Sequence, residues 1–177
     1  MSAFDITNSN QTGAKLSDGA DSNYIVTVSA PAGNSDGQGG GIFNYRKLGA
    51  LTDQKSSAAY EGKLHLLNTR LVNNTFDNCG RSDQTPHSLG GNLDSGSSCE
   101  FYPALGGLVL THPRLGALHK NGGMTLNMAL LDCSPGIDSG NDTGCPVTDQ
   151  RWVSRLQGNQ CDRGANEYQA CGQGDHK

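Results

Sequence analysis

The side chains best suited to joint chemistry are concentrated in the C-terminal part of the chain. Two carboxylates there could serve as acid and as base or nucleophile in cleaving a glycosidic bond. An arginine among them favours a structural network instead, because its five fixed donors satisfy carboxylates and loop carbonyls that regular structure leaves unsatisfied. The structural network is our preferred interpretation, since these segments are rich in turn residues. The set consists of Asp138, Asp149, Arg151, Asp162 and Glu167.

A weak calcium candidate lies in the same region. Asp138, Asn141 and Asp142 fall within five residues of one another, and calcium prefers carboxylate and amide oxygens. The sequence predicts no other cofactor. Its five histidines are dispersed, and no two cysteines show a CxxC spacing, so we do not expect a zinc site.

His65 is the one histidine that the sequence places within a predicted strand. It stands between Leu64 and Leu66, so it projects from the opposite face, most simply into solvent. The catalytic alternative combines His65 with Asp138, Asp149 and Arg151. Against it, the nearby strand residues are mainly basic, and the acidic partners within reach in sequence are limited to Asp5 and Glu61.

The elements that must position these residues are predicted from two similar stretches, residues 39–44 and 62–76. Each begins with glycine and places apolar residues at alternating positions, and asparagine closes the alternating part. Asparagine tolerates the left-handed backbone conformation, so it suits a chain that turns sharply after a short strand. The pattern predicts an all-β fold, a short right-handed parallel β-helix with a loop-rich, disulfide-stapled C-terminal cap.

The predicted organisation is a single domain in two parts. Residues 1–112 form the β-helix coils, with an inserted loop at about 46–61, and residues 113–177 form the cap. We expect strands within 4–12, 24–29 and 41–44, from Lys63 onward, within 88–93 and at 108–110. Residues 124–131 form the apolar element of the cap, and Trp152 is expected to pack over Arg151.

Composition limits the partners. The chain has 177 residues, 25 of them glycine, and its hydrophobic fraction of 34% suits a narrow core better than a thick globular one. The net charge is −4 and the basic residues are scattered, which argues against nucleic acid and anionic lipid as partners. The sequence shows no apolar run long enough for a transmembrane segment and no signal peptide.

Six cysteines indicate an oxidising, extracellular environment. We predict that Cys79 pairs with Cys99 and Cys145 with Cys161, because each pair encloses a segment with few apolar residues. Cys133 and Cys171 are left for a third bond. A start methionine added to a mature extracellular fragment would explain the missing signal sequence.

The C-terminal half resembles a known family. The strings LLDCSPGIDSG (130–140), GCPVTDQR (144–151) and CDRGANEY (161–168), preceded by the run from Leu115 to Leu126, are similar to the choice-of-anchor Q domain. That family forms the C-terminal part of right-handed β-helix proteins on bacterial surfaces. The upstream strings GGGIFN and GKLHLLN are similar to its repeats and to those of polymorphic outer-membrane proteins.

The chain also departs from this family. Family members carry Pro-Thr-Leu-Thr-His where this sequence has residues 124–128, so any role of that histidine is absent. They tend to have glycine at the position of Cys133 and an apolar residue at that of Arg163. The anchor itself is missing from this sequence.

Three functions remain open at this point. The first is a non-enzymatic extracellular or cell-surface module, structural or adhesive, which displays its loops to a surface glycan or protein. The second is a polysaccharide lyase or glycoside hydrolase. The third is a self-assembling surface fibre, because the first coil shows no cap at its N-terminal edge. We expect a monomer or a weak homo-oligomer.

Overall fold

The computed structural model describes residues 63–74, 77–80 and 86–170, together with the backbone of five short strands before residue 63. The predicted loop at about 46–61, most of the predicted first strand and Cys171 lie outside the described residues. The described part of the chain contains no helix of the length and apolarity needed to cross a bilayer.

All named strands are short and pair in parallel. Three sheets have the orders β1-β4-β7-β9, β2-β5 and β3-β6-β8. Their register places Arg70 opposite Leu93 and His65 opposite His87. The strands are β1 Phe4–Asp5, β2 Ala14–Leu16, β3 Asn23–Val26, β4 Val28–Ser29, β5 Ile42–Asn44, β6 Lys63–Leu67, β7 Arg70–Leu71, β8 His87–Gly90 and β9 Leu93–Asp94.

The prediction of a right-handed parallel β-helix is wrong. The strands contain two to five residues each, and they form small sheets that neither close nor continue as a solenoid. In the described residues after Asp94, the chain forms isolated bridges and the 3₁₀ helix Pro103–Leu105, with no further strand. The physical reason is that side chains replace ladder partners: the Asp94 carboxylate accepts the backbone N–H groups of Gly96 and Cys99.

A small apolar core lies beneath β6. Leu64 and Leu66 are buried while His65 between them is only half-buried, as the alternation predicted. Leu64 and Leu66 pack with four further buried residues, and Val109 covers the cluster. Those four are Leu71, Cys79, Cys99 and Phe101.

Asparagines turn and tie the chain at the strand ends. Asn68 follows β6 with φ 49° and Asn73 follows β7 with φ 53°, the left-handed conformation that the sequence predicted for such positions. The buried Asn92 accepts the N–H of Thr69 and donates to the carbonyl of Leu66. Side-chain amides therefore form some of the hydrogen bonds that backbone groups would form in a regular β-ladder.

The predicted apolar element at residues 124–131 does not form a cover. Leu130 is buried, but Met124 is 90% exposed and Leu126 is 54% exposed. The segment instead pairs back through isolated antiparallel bridges, His119 with Asn127 and Leu115 with Leu130.

Candidate functional site: buried carboxylates and arginines at the C-terminal end

A tight hairpin places Asp149 and Arg151 together. Thr148 bridges Ser154, the N–H of Asp149 donates to the carbonyl of Val153, and the N–H of Trp152 donates to the carbonyl of Asp149. The Asp149 side chain is fully buried and that of Arg151 is 8% exposed. Their closest atoms, Arg151 Nη2 and Asp149 Oδ2, are 2.7 Å apart.

Every lone-pair position of the Asp149 carboxylate is occupied. Oδ1 accepts the backbone N–H groups of Arg151 at 2.7 Å and Val153 at 3.0 Å. Oδ2 accepts the N–H of Glu167 at 2.9 Å as well as the Arg151 guanidinium. Arg151 also donates to the carbonyl oxygen of Glu167. This carboxylate therefore fixes the hairpin and joins it to the segment that carries Glu167.

Glu167 forms a second such centre with Arg155. Its Oε1 accepts the N–H groups of Leu156 at 2.9 Å and Gln157 at 3.1 Å. Its Oε2 accepts from Arg155 Nη1 at 3.1 Å and from the N–H of Asp162. Burial lowers the pKa of Arg155, and the neighbouring Glu167 opposes that effect.

Asp162 links this network to the loop that begins at Asp138. Its carboxylate accepts the N–H of Asp138 at 2.7 Å and the N–H of Tyr168. Burial raises the pKa of Asp162 from 3.8 to about 6, although these two backbone donors favour the ionised form. Asp138 in turn accepts the N–H of Gln160 at 3.2 Å.

The raised pKa of Asp162 predicts a pH dependence of stability. The folded protein binds this proton at a higher pH than the unfolded chain, so Asp162 contributes less stability as the pH rises from about 4 to 6. One pKa unit corresponds to about 1.4 kcal/mol, so we expect a fall of about 2 to 3 kcal/mol from this group.

Urea unfolding across this pH range measures the effect. Asp162→Asn loses stability at every pH because the amide offers one acceptor to two donors, but its dependence on pH is flatter than that of the wild type. Asp77→Asn, which lies outside the network, is the control substitution. A parallel offset of the Asp162→Asn curve, with an unchanged slope, would contradict the prediction.

Two arginines that the sequence analysis did not propose complete the network. Arg155 donates to the carbonyls of Asp162 and Gly164. Arg163 donates to the carbonyls of Ser139 at 2.7 Å and Asn92 at 2.8 Å, and burial lowers its pKa to about 10. Arg163 therefore ties the C-terminal segment to the strand region.

Gly164 allows the C-terminal segment to approach β7. Its φ is 93°, its N–H donates to the carbonyl of Asn68, and a Cβ there would lie 2.1 Å from Nε of Arg70. A side chain at this position would displace the buried Arg70. The Arg163-Gly164 pair within a segment poor in apolar residues is the signal that could have indicated this contact.

The calcium candidates are used in local hydrogen bonds. Asp142 accepts the N–H of Cys161 at 2.8 Å, and Asn141 accepts the N–H of Thr143 at 2.9 Å. Within the described residues, no three His, Cys, Asp or Glu side chains are grouped to hold a metal ion.

The same loop does border a cleft of about 370 Å³ that is lined mainly by small and polar residues. The lining residues are Gly91, Leu105, Gly106, Ser139, Gly140, Asn141, Asp142, Thr143 and Gln160.

The disulfides Cys79–Cys99 and Cys145–Cys161 are both present, the two pairs that the sequence predicts. Cys133 is exposed and belongs to no disulfide among the described residues. Its proposed partner Cys171 lies outside them, so the third bond stays a prediction.

The structure thus joins all five predicted residues in one hydrogen-bonded network: Arg151 pairs with Asp149, and the backbone N–H groups of Glu167, Asp162 and Asp138 donate to the carboxylates of Asp149, Glu167 and Asp162 respectively. His65 lies apart from them in sequence and element, on β6, with Nδ1 3.3 Å from Nδ1 of His87. Comparison with models of protein families, with curated proteins and with solved structures found no match for this chain.

Proposed function

We propose that this protein is a non-enzymatic extracellular module whose buried ionic network holds a binding surface in place. The observation that carries the proposal is the complete occupancy of Asp149 and Glu167 by hydrogen-bond donors. A catalytic acid or base must reach the reacting atom of a substrate within about 3 Å. These carboxylates are instead occupied by main-chain N–H groups and arginines, which makes them structural.

The extracellular assignment is supported by the two disulfides, which persist in oxidising environments. The resemblance to the choice-of-anchor Q domain supports a cell-surface setting. The strings that carry this resemblance contain Asp149, Arg151, Asp162 and Glu167, the same residues that form the network.

Trp152 is the residue that we propose to meet a ligand. It lies at the end of the Asp149 turn, has φ 71° and is 73% exposed, so most of its surface is open to solvent. A left-handed conformation costs a residue with a Cβ about 1 to 2 kcal/mol. A large aromatic side chain that is both strained and exposed at a rigid hairpin favours a role in binding.

A glycan is the ligand class that suits this surface best. The face of a tryptophan ring packs against the apolar face of a sugar, and neighbouring amides and hydroxyls bind its hydroxyl groups. Gln150 donates to the hydroxyl of Thr125 at 2.6 Å, which places residues 124–125 beside the hairpin. Met124, 90% exposed, extends the apolar part of this surface.

A glycan array combined with a depolymerisation assay on acidic polysaccharides tests the proposal. Trp152 is the single tryptophan of the chain, so its intrinsic fluorescence reports directly on ligand contact. Binding with a fluorescence change and without turnover supports the module. Turnover that disappears in Asp149→Asn, while the fold is retained, would instead establish an enzyme.

We expect Trp152→Gly to abolish ligand binding while leaving stability unchanged or raising it by about 1 kcal/mol. Glycine adopts φ 71° without strain, and this gain offsets its greater freedom in the unfolded chain. Circular dichroism during urea unfolding measures the stability, and the array measures binding.

Leu110→Gly is the matched control. Leu110 also has positive φ, at 51°, and is 76% exposed, but it lies in a different loop. This variant should gain similar stability and keep ligand binding. A loss of more than about 1 kcal/mol in Trp152→Gly would identify Trp152 as a packing residue and remove the support for a binding role.

A further inference from the structure

Two histidines meet on adjacent parallel strands. β6 and β8 pair with His65 directly opposite His87, and both side chains lie on the face away from the buried Leu64 and Leu66. Their Nδ1 atoms are 3.3 Å apart, and the ring centroids are 5.1 Å apart with planes inclined at 72°. The ladder thus fixes the separation of two nitrogen atoms that point toward each other.

This separation matches the geometry of two ligands on one metal ion. Zinc binds histidine nitrogen at about 2.0 to 2.1 Å with tetrahedral angles, which places two ligand nitrogens about 3.3 to 3.4 Å apart. Imidazole is also the commonest protein ligand for zinc and its neighbours in the first transition row. Because the strands already hold both rings, binding an ion requires little further ordering of the side chains.

We propose that His65 and His87 form a surface site for a divalent transition-metal ion such as Zn²⁺. Nδ1 of each ring supplies one ligand. Within the described residues, no third His, Cys, Asp or Glu side chain is grouped with the pair. The site is separate from the carboxylate network and independent of the binding surface at Trp152.

Calorimetric titration with ZnCl₂ tests the site. The background is Cys133→Ser/Cys171→Ser, which removes the thiols that could compete for zinc. We expect one ion per chain, and His87→Ala should weaken binding at least about tenfold, equivalent to about 1.4 kcal/mol. His119→Ala, which removes an exposed histidine from another loop, should bind zinc as the background does.

If His87→Ala does not fold, NMR of the protein that retains both histidines tests the site instead. Nitrogen-15 NMR of histidine-labelled protein should show zinc-dependent shifts at Nδ1 of two rings, assigned to His65 and His87 by His87→Gln and His65→Gln. Saturable binding that His87→Ala leaves unchanged would overturn the proposal. So would shifts confined to His112, His119 or His176, or the absence of any shift at millimolar zinc.

Discussion

Glu167→Ala should lower the free energy of unfolding by about 3 to 5 kcal/mol. The substitution removes the acceptor of three backbone N–H groups and leaves the buried Arg155 guanidinium without its carboxylate. An uncompensated buried charge costs far more than the loss of an exposed ion pair, for which the typical value is below about 1 kcal/mol. Urea unfolding at neutral pH measures the change.

The matched comparison is between Glu167→Gln and Glu100→Gln. Glu100 is exposed, so Glu100→Gln should change stability by less than about 0.5 kcal/mol. Glu167→Gln should lower stability by more, because its amide NH₂ group replaces one carboxylate oxygen and cannot accept hydrogen bonds from the donors around it. A double variant, Glu167→Ala/Arg155→Met, should recover part of the loss because it also removes the stranded charge. A Glu167→Ala protein within about 1 kcal/mol of the wild type would show that the network carries little of the stability.

Local structure was predictable from the sequence wherever a single local rule was sufficient. Alternation predicted that Leu64 and Leu66 are buried and that His65 faces away from them, and the conformational tolerance of asparagine predicted the left-handed turn at Asn68. The extension of these rules to a β-helix failed. A solenoid needs strand ladders that continue from coil to coil, and in the described residues beyond Asp94 the backbone pairs only through isolated bridges, while the Asp94 side chain accepts the N–H groups of Gly96 and Cys99.

The candidate site was also predictable only in part, because some of its contacts join residues that are distant in sequence. Carboxylates and Arg151 within loop-rich sequence indicated an ionic network, and the carboxylates of Asp149 and Glu167 do accept the backbone N–H groups of Glu167 and Asp162 respectively. Arg155 and Arg163 were missed, because an arginine in polar sequence is usually solvated and its burial depends on distant partners. Arg163, for example, reaches the carbonyl of Asn92, 71 positions away.

The histidine pair also depends on a contact between residues that are distant in sequence. His65 was predicted to face solvent alone because nothing in the local sequence pairs it with His87, 22 residues away. Only the register of β6 against β8 brings the two rings together. Long-range register is the information that alternation and turn preferences do not contain.

The double substitution Cys79→Ala/Cys99→Ala should destabilise the protein by about 3 to 4 kcal/mol. Closing a loop of this size removes about 3 kcal/mol of chain entropy from the unfolded state. Both sulfurs also belong to the buried cluster with Leu66 and Phe101, so their removal leaves space in the small core. Denaturant unfolding in a Cys133→Ser/Cys171→Ser background, which removes the other two thiols and so prevents disulfide exchange, measures the loss.

The second disulfide provides the control that separates these two contributions. Cys145–Cys161 spans 16 positions against 20 for Cys79–Cys99, and the entropy of loop closure depends only logarithmically on that length. The entropic effect of the two bonds is therefore nearly equal. Cys161 is buried but Cys145 is only half-buried, and neither belongs to the apolar cluster, so Cys145→Ala/Cys161→Ala should cost about 1 kcal/mol less than the first double variant. Equal losses would assign the whole effect to chain entropy, and a larger loss at the second bond would contradict the placement of the core beneath β6.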